Sequence, residues 1–92
     1  MMAWSLGPVF GQEITFRNGR VEQSNFDNYP ATRMGEFPRD ISLSFIKTNR
    51  WISGIGEEVV PLVAPAICNA IYAATGKRVR SVPLRKHDLS WA

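Results

Sequence analysis

Asn18-Gly19 sits between two alternating stretches, and nothing else in the 92 residues constrains the fold as tightly. In Gln12 to Arg17, Ile14 and Phe16 fall on one side and Glu13 and Thr15 on the other; Arg20-Val21-Glu22-Gln23 resumes the extended pattern. A two-residue type I′ loop needs positive φ at both central positions, which asparagine and glycine tolerate, so an antiparallel hairpin is predicted here. Ile41-Ser42-Leu43-Ser44-Phe45-Ile46 alternates as cleanly and predicts a further strand, with Val79 to Leu84 a short final one. Between them, residues 26–39 carry Pro30, Gly35 and Pro38 and read as an irregular crossing segment.

Helical signals stand at the two ends. Met2-Ala3-Trp4-Ser5-Leu6 predicts a short helix that Gly7-Pro8 interrupts. So apolar an opening is unusual for a terminus and fits a chain that begins inside a larger module. Pro65 to Thr75 predicts a second helix, with proline early and Gly76 as its stop. Its faces are apolar nearly all round, which predicts burial, and Lys77 and Arg78 follow its C-terminus, where cations suit the helix dipole. The expected architecture is a small two-layer α+β domain: the hairpin and further strands packed on one buried C-terminal helix. Residues 1–84 form the domain and 85–92 a tail, loose from His87 onward.

Size and composition narrow the functions. A 10.3 kDa chain with 45% hydrophobic and 21% charged residues is globular in type. Such a chain buries only about 60–65% of its unfolded surface, which leaves no room for a self-contained large active site. One cysteine, Cys68, and one histidine, His87, exclude a disulfide framework and a zinc or iron–sulfur site held by this chain alone. The longest apolar stretch, Leu62 to Ala74, is broken by Pro65 and Asn69 and falls short of the roughly 20 residues of a membrane span. No basic residue precedes an apolar core at the N-terminus, so no signal peptide is expected in this chain.

The candidate for chemistry is Gly54-Ile55-Gly56-Glu57. A carboxylate after a glycine turn and before a buried helix stands on a stiff element; partial burial would raise its pKa and suit it to general-base work. The plainer reading is an acidic residue favoured by the helix dipole, worth roughly 0.3–1 kcal/mol. A dinucleotide site fails for want of a third glycine at the right offset and of a βαβ frame. Lys77, Arg78, Arg80, Arg85 and Lys86 make a basic cluster that a nucleic-acid binder would use, but no aromatics are interleaved, and a solvated edge accounts for it. Cys68 reads as a buried, inert helical thiol, and Trp4, Trp51 and Trp91 as thin-core anchors or as contacts of a larger body.

Two blocks carry a resemblance. Glu13 to Phe26, followed by Tyr29-Pro30 and Arg33-Met34, is the first. Gly54-Ile55-Gly56-Glu57, Pro61, Ala64-Pro65-Ala66-Ile67, Asn69-Ala70-Ile71, Ala73 to Arg80 and Pro83-Leu84 form the second. In that order they resemble the end of the molybdenum-binding large subunit of the xanthine dehydrogenase family, of the isoquinoline 1-oxidoreductase β-subunit and aldehyde dehydrogenase type. The resemblance implies a molybdenum hydroxylase acting on an N-heterocycle or aldehyde. Glu57 would be its general base beside a molybdenum–pterin cofactor, and Gly54 and Gly56 would let the backbone pass close to that cofactor. It also implies two partners, the remainder of the large subunit and an iron–sulfur subunit. The family usually follows this glutamate with a small residue or proline, whereas Glu58 follows here. The segments that grip the pterin are absent from these 92 residues, so the chain alone is expected to bind no cofactor and to be silent. The other expectation is a non-catalytic interaction module or orphan remnant that pairs with a larger protein or with itself.

Overall fold

A computed structural model describes residues 1–90; Trp91 and Ala92, and with them the reading of Trp91, lie outside the described residues. Helix α1 (Met2–Phe10) runs through Gly7-Pro8 instead of stopping there. Gly7 has no Cβ to clash with the Pro8 ring. The missing Pro8 N–H frees only the carbonyl of Trp4, an exposed residue. Ser5 is buried, and its hydroxyl donates to the Met1 carbonyl at 2.9 Å.

The hairpin is present. Strands β1 (Phe16–Arg17) and β2 (Arg20–Val21) pair antiparallel, Phe16 opposite Val21 and Arg17 opposite Arg20. Asn18 and Gly19 take φ of +50° and +75°, the values a type I′ turn needs. Beyond the strands, the Glu22 N–H donates to the Thr15 carbonyl and the Thr15 N–H to Gln23 Oε1. Asn28 Oδ1 accepts from the N–H groups of Ser24 and Asn25, closing the turn that follows.

Helix α2 (Val60–Thr75) starts earlier than the sequence reading placed it, and Pro65 lies inside it. A 3₁₀ turn, Glu57–Val59, leads into it. Pro61 sits in the first turn, and Pro65 lies on the exposed side, where water can take the Pro61 carbonyl that the missing N–H leaves free. Gly76 ends the helix as expected: it adopts φ +74°, and its N–H donates to the Tyr72 carbonyl at 2.8 Å. Because the helix continues across Pro65 and Asn69, the 19 residues Glu57–Thr75 are long and apolar enough to cross a membrane by length and composition, a property that core helices share. The expectation that no stretch reaches that length is corrected accordingly.

Burial of α2 is also less than expected, since no residue of it is fully buried. Val63, Ala64, Ile67, Cys68 and Ile71 form a half-buried stripe against the core residues Val9, Val79 and Leu84; Leu62 and Tyr72 on other faces are exposed. One short helix packed on one face cannot enclose a helix that is apolar all round.

The α+β class holds, but the further strands do not form among the described residues. Residues 41–46 form no strand and have no ladder partner among the described residues, because a strand needs a neighbour and none lies beside them. Val79 to Leu84 gives its apolar side chains to the core as an irregular segment, followed by the 3₁₀ turn Leu84–Lys86. The stretch from residue 85, expected as a tail, is held in place through residue 90. Lys77 Nζ donates to the carbonyls of Asp88 and Ser90, His87 Nε2 lies 2.9 Å from the Ser81 carbonyl, and Leu89 packs on the core.

Candidate functional site

Glu57 opens the 3₁₀ turn that feeds α2, so its carboxylate stands at the start of the longest rigid element of the chain. Glu57 is exposed, and the partial burial expected of it is therefore absent from this chain's own packing. Burial of a carboxylate requires apolar neighbours, and those preceding it, Trp51, Ile52 and Ile55, are themselves in solvent.

The two glycines do different things. Gly56 caps the turn at φ −93° and ψ −96°, and nothing lies within 4 Å of where a side chain would begin, so the backbone is open to approach there. At Gly54 that space is filled by the carboxylate of Glu58, which folds back over it. Glu58 is exposed and its carboxylate can swing away, so a side chain at Gly54 would cost little. Neither glycine has positive φ; among the described residues Gly19 and Gly76 do.

Among the described residues there is no group of three or more His, Cys, Asp or Glu side chains that could hold a metal ion. Glu57 therefore stands apart from any cluster that could ligate a metal ion directly. Cys68 is a free thiol in the stripe on the core, half-buried and so less enclosed than expected.

The basic cluster is largely committed within the chain. Lys77 holds the two carbonyls of the C-terminal stretch. Arg78 donates to Asn69 Oδ1 at 2.9 Å and stacks over the Tyr72 ring at 3.7 Å. Arg85 and Lys86 both pair with Glu13. Cations occupied in this way do not form a continuous stripe for phosphates. The Glu13 pairs were not visible in the sequence, because they join positions 72 and 73 residues apart with no local signal.

Set beside known proteins, the chain bears out the resemblance read from its two blocks. It is 31% identical over 86 residues to the membrane-bound aldehyde dehydrogenase (pyrroloquinoline-quinone) of Gluconacetobacter polyoxogenes, a match covering 94% of this chain and 11% of that protein. It is 32% identical over 74 residues to isoquinoline 1-oxidoreductase subunit beta of Brevundimonas diminuta, covering 80% of this chain and 9% of that protein. The chain spans about a tenth of the length of these curated relatives. No family model and no solved structure matches it. Both relatives are oxidoreductases by name, and the chain is similar to a small part of each.

Proposed function

We propose that this chain is a C-terminal segment of the molybdenum-binding large subunit of an oxidoreductase that hydroxylates an N-heterocycle or aldehyde, and that it supplies the general base, Glu57. The observation that carries the proposal is the match itself, which takes in 94% and 80% of this chain but only 11% and 9% of the relatives. The exposed carboxylate on a stiff turn supports it, since such a group can face a site built by another polypeptide.

A molybdenum–pterin cofactor, when bound, supplies the redox chemistry. The work of this chain is to hold the Glu57 oxygens at a fixed position and to take up a proton there. Enclosure by the remainder of the subunit would remove water from around Glu57 and hold its carboxylate against a substrate. Gly56 leaves its backbone open on that side. By itself the chain is inactive, because one carboxylate without the cofactor has no oxidant to act with.

The name of one relative specifies pyrroloquinoline quinone. The test therefore assays molybdenum and quinone together in the chain purified gently with its large partner, and compares wild type with Glu57→Gln. Molybdenum at about one atom per complex, with turnover lost in Glu57→Gln, supports the proposal. Quinone without molybdenum overturns the cofactor, and unchanged turnover in Glu57→Gln overturns the role of the glutamate.

A second reading, a non-catalytic interaction module, is favoured by the exposure of Trp4, Trp51 and their apolar neighbours. It predicts the same complex with no dependence on Glu57.

A further inference from the structure

Three features set residues 38–55 apart from the rest of the molecule. First, the chain carries too much surface for its mass: 8194 Å² is accessible, where a folded monomer of 10.3 kDa exposes about 5,400 Å². The radius of gyration is 16.2 Å, against about 12 Å for a closed domain of this length. Second, exposure rises along the strap as it leaves the body. Ile41 still lines a groove with Leu6, Phe10, Val63 and Ile67 and is 53% exposed, Leu43 is 68%, Phe45 83%, Ile46 90% and Trp51 99%. Third, Ile41, Leu43 and Phe45 alternate with Ser42 and Ser44, yet this ladder of N–H and C=O groups has no partner among the described residues.

An alternating segment with unpaired backbone is a strand that lacks its neighbour. We infer that residues 41–46 add as a β-strand to an acidic-flanked sheet edge of the remainder of the large subunit. The inference rests on the reading of this chain as a segment of that subunit.

Charge selects this occupant over a second copy. The surplus of about 2,800 Å², a quantity of the whole chain, exceeds the ~800 Å² that each partner gives to a standard interface, so the exposed surface is ample for a permanent one. A second copy pairing antiparallel about Leu43 would set Ile41 opposite Phe45, apolar on apolar, but also Arg39 opposite Lys47, like charge on like. Shifting by one residue opposes Asp40 to Lys47 and Ile41 to Ile46 but sets Leu43 against Ser44 and Phe45 against Ser42. Neither register satisfies both pattern and charge. Arg39, Lys47 and Arg50 against the one Asp40 leave the strap basic, and none of these four is in an ion pair among the described residues. An acidic edge answers that charge.

The probe is the large partner that purifies with the full chain from its own source cells, and the complex as isolated is compared with the full chain alone. Binding is measured by sedimentation, and amide exchange is followed residue by residue. The expected result is a complex in which alternate amides of residues 41–46 slow by at least about tenfold while those between them do not, because an added strand bonds its neighbour with every second residue. Leu43→Ser should weaken the complex by about tenfold, a hot-spot loss, with α1 and α2 intact by circular dichroism.

A complex with no protection at 41–46, or with uniform protection, overturns strand addition and leaves the parent reading standing. The alternating pattern in the chain alone, with sedimentation as a dimer, overturns the choice of occupant. Failure of the wild-type chain to bind at all overturns both. Alternating protection with turnover unchanged in Glu57→Gln upholds strand addition and removes only the catalytic role.

Discussion

Val9, Val79 and Leu84 are sealed between α1, α2 and the C-terminal stretch, whereas Ile41, Leu43, Phe45 and Ile46, no less apolar, stand in water. The two regions differ in where their partners lie. The stripe on α2 recurs with helical period and meets α1 and residues 79–89 of the same chain. The strap repeats every second residue, and that period is satisfied only by a second strand, which the described residues do not supply. Hydrophobicity decides that a side chain prefers burial; topology decides whether one polypeptide can provide it.

The contrast breaks most sharply on equivalent truncations. Leu84→Ala opens a hole in a core of few residues and should cost about 2–5 kcal/mol, enough to unfold the packed half of a domain this small in a thermal melt. Leu43→Ala should shift the same melt by no more than about 0.5 kcal/mol, since its side chain is already in solvent. Equal losses would mean that the strap packs in solution and would dissolve the distinction.

A smaller effect follows from backbone geometry. Gly76→Ala and Gly19→Ala each force a side chain into left-handed backbone at roughly 1–2 kcal/mol. The first should lower the melting midpoint, because α2 depends on its stop. The second should show only as lost hairpin shifts in an NMR spectrum, because β1 and β2 are exposed and anchor little. A shared drop in midpoint would join the hairpin to the packed half.

These outcomes also mark how much could be read in advance. Asn18-Gly19 and Gly76 were legible because their requirement for positive φ is local to one or two residues. Glu57 at the mouth of a helix was legible for the same reason, from the glycine turn before it and the apolar run after it. The continuity of α1 through Pro8 and of α2 through Pro65 was not, because a propensity cost near 3 kcal/mol is offset by tertiary packing that leaves no mark in the local sequence. The expected strands at 41–46 and 79–84 failed for two separate reasons. The first has the right pattern and no neighbour, and the second spends Val79 and Leu84 on the helical core. The Glu58 carboxylate lying over Gly54 is a contact that spacing could not show.

Surface charge gives the smallest tests. Glu13→Gln releases Arg85 and Lys86 together and should cost at most about 1 kcal/mol, a loss that 1 M salt abolishes. Asp88 accepts from the Ser90 hydroxyl at 2.5 Å and from the Ser90 N–H, with Lys77 nearby, and these hold its carboxyl below the ordinary value of 3.8. A carboxyl lowered on folding stabilises the fold above its unfolded pKa and loses that contribution as pH falls through the folded one. The C-terminal stretch should therefore loosen only below about pH 4. A carboxyl titration by NMR checks it, and Ser90→Ala should return the Asp88 midpoint toward 3.8.

The surplus of accessible surface bears on the life of the chain in a cell. A polypeptide with about a third of its surface waiting for cover sits close to opened forms that proteases cleave and chaperones hold. Whatever binds the folded form and covers that surface would withdraw the chain from such traffic by mass action.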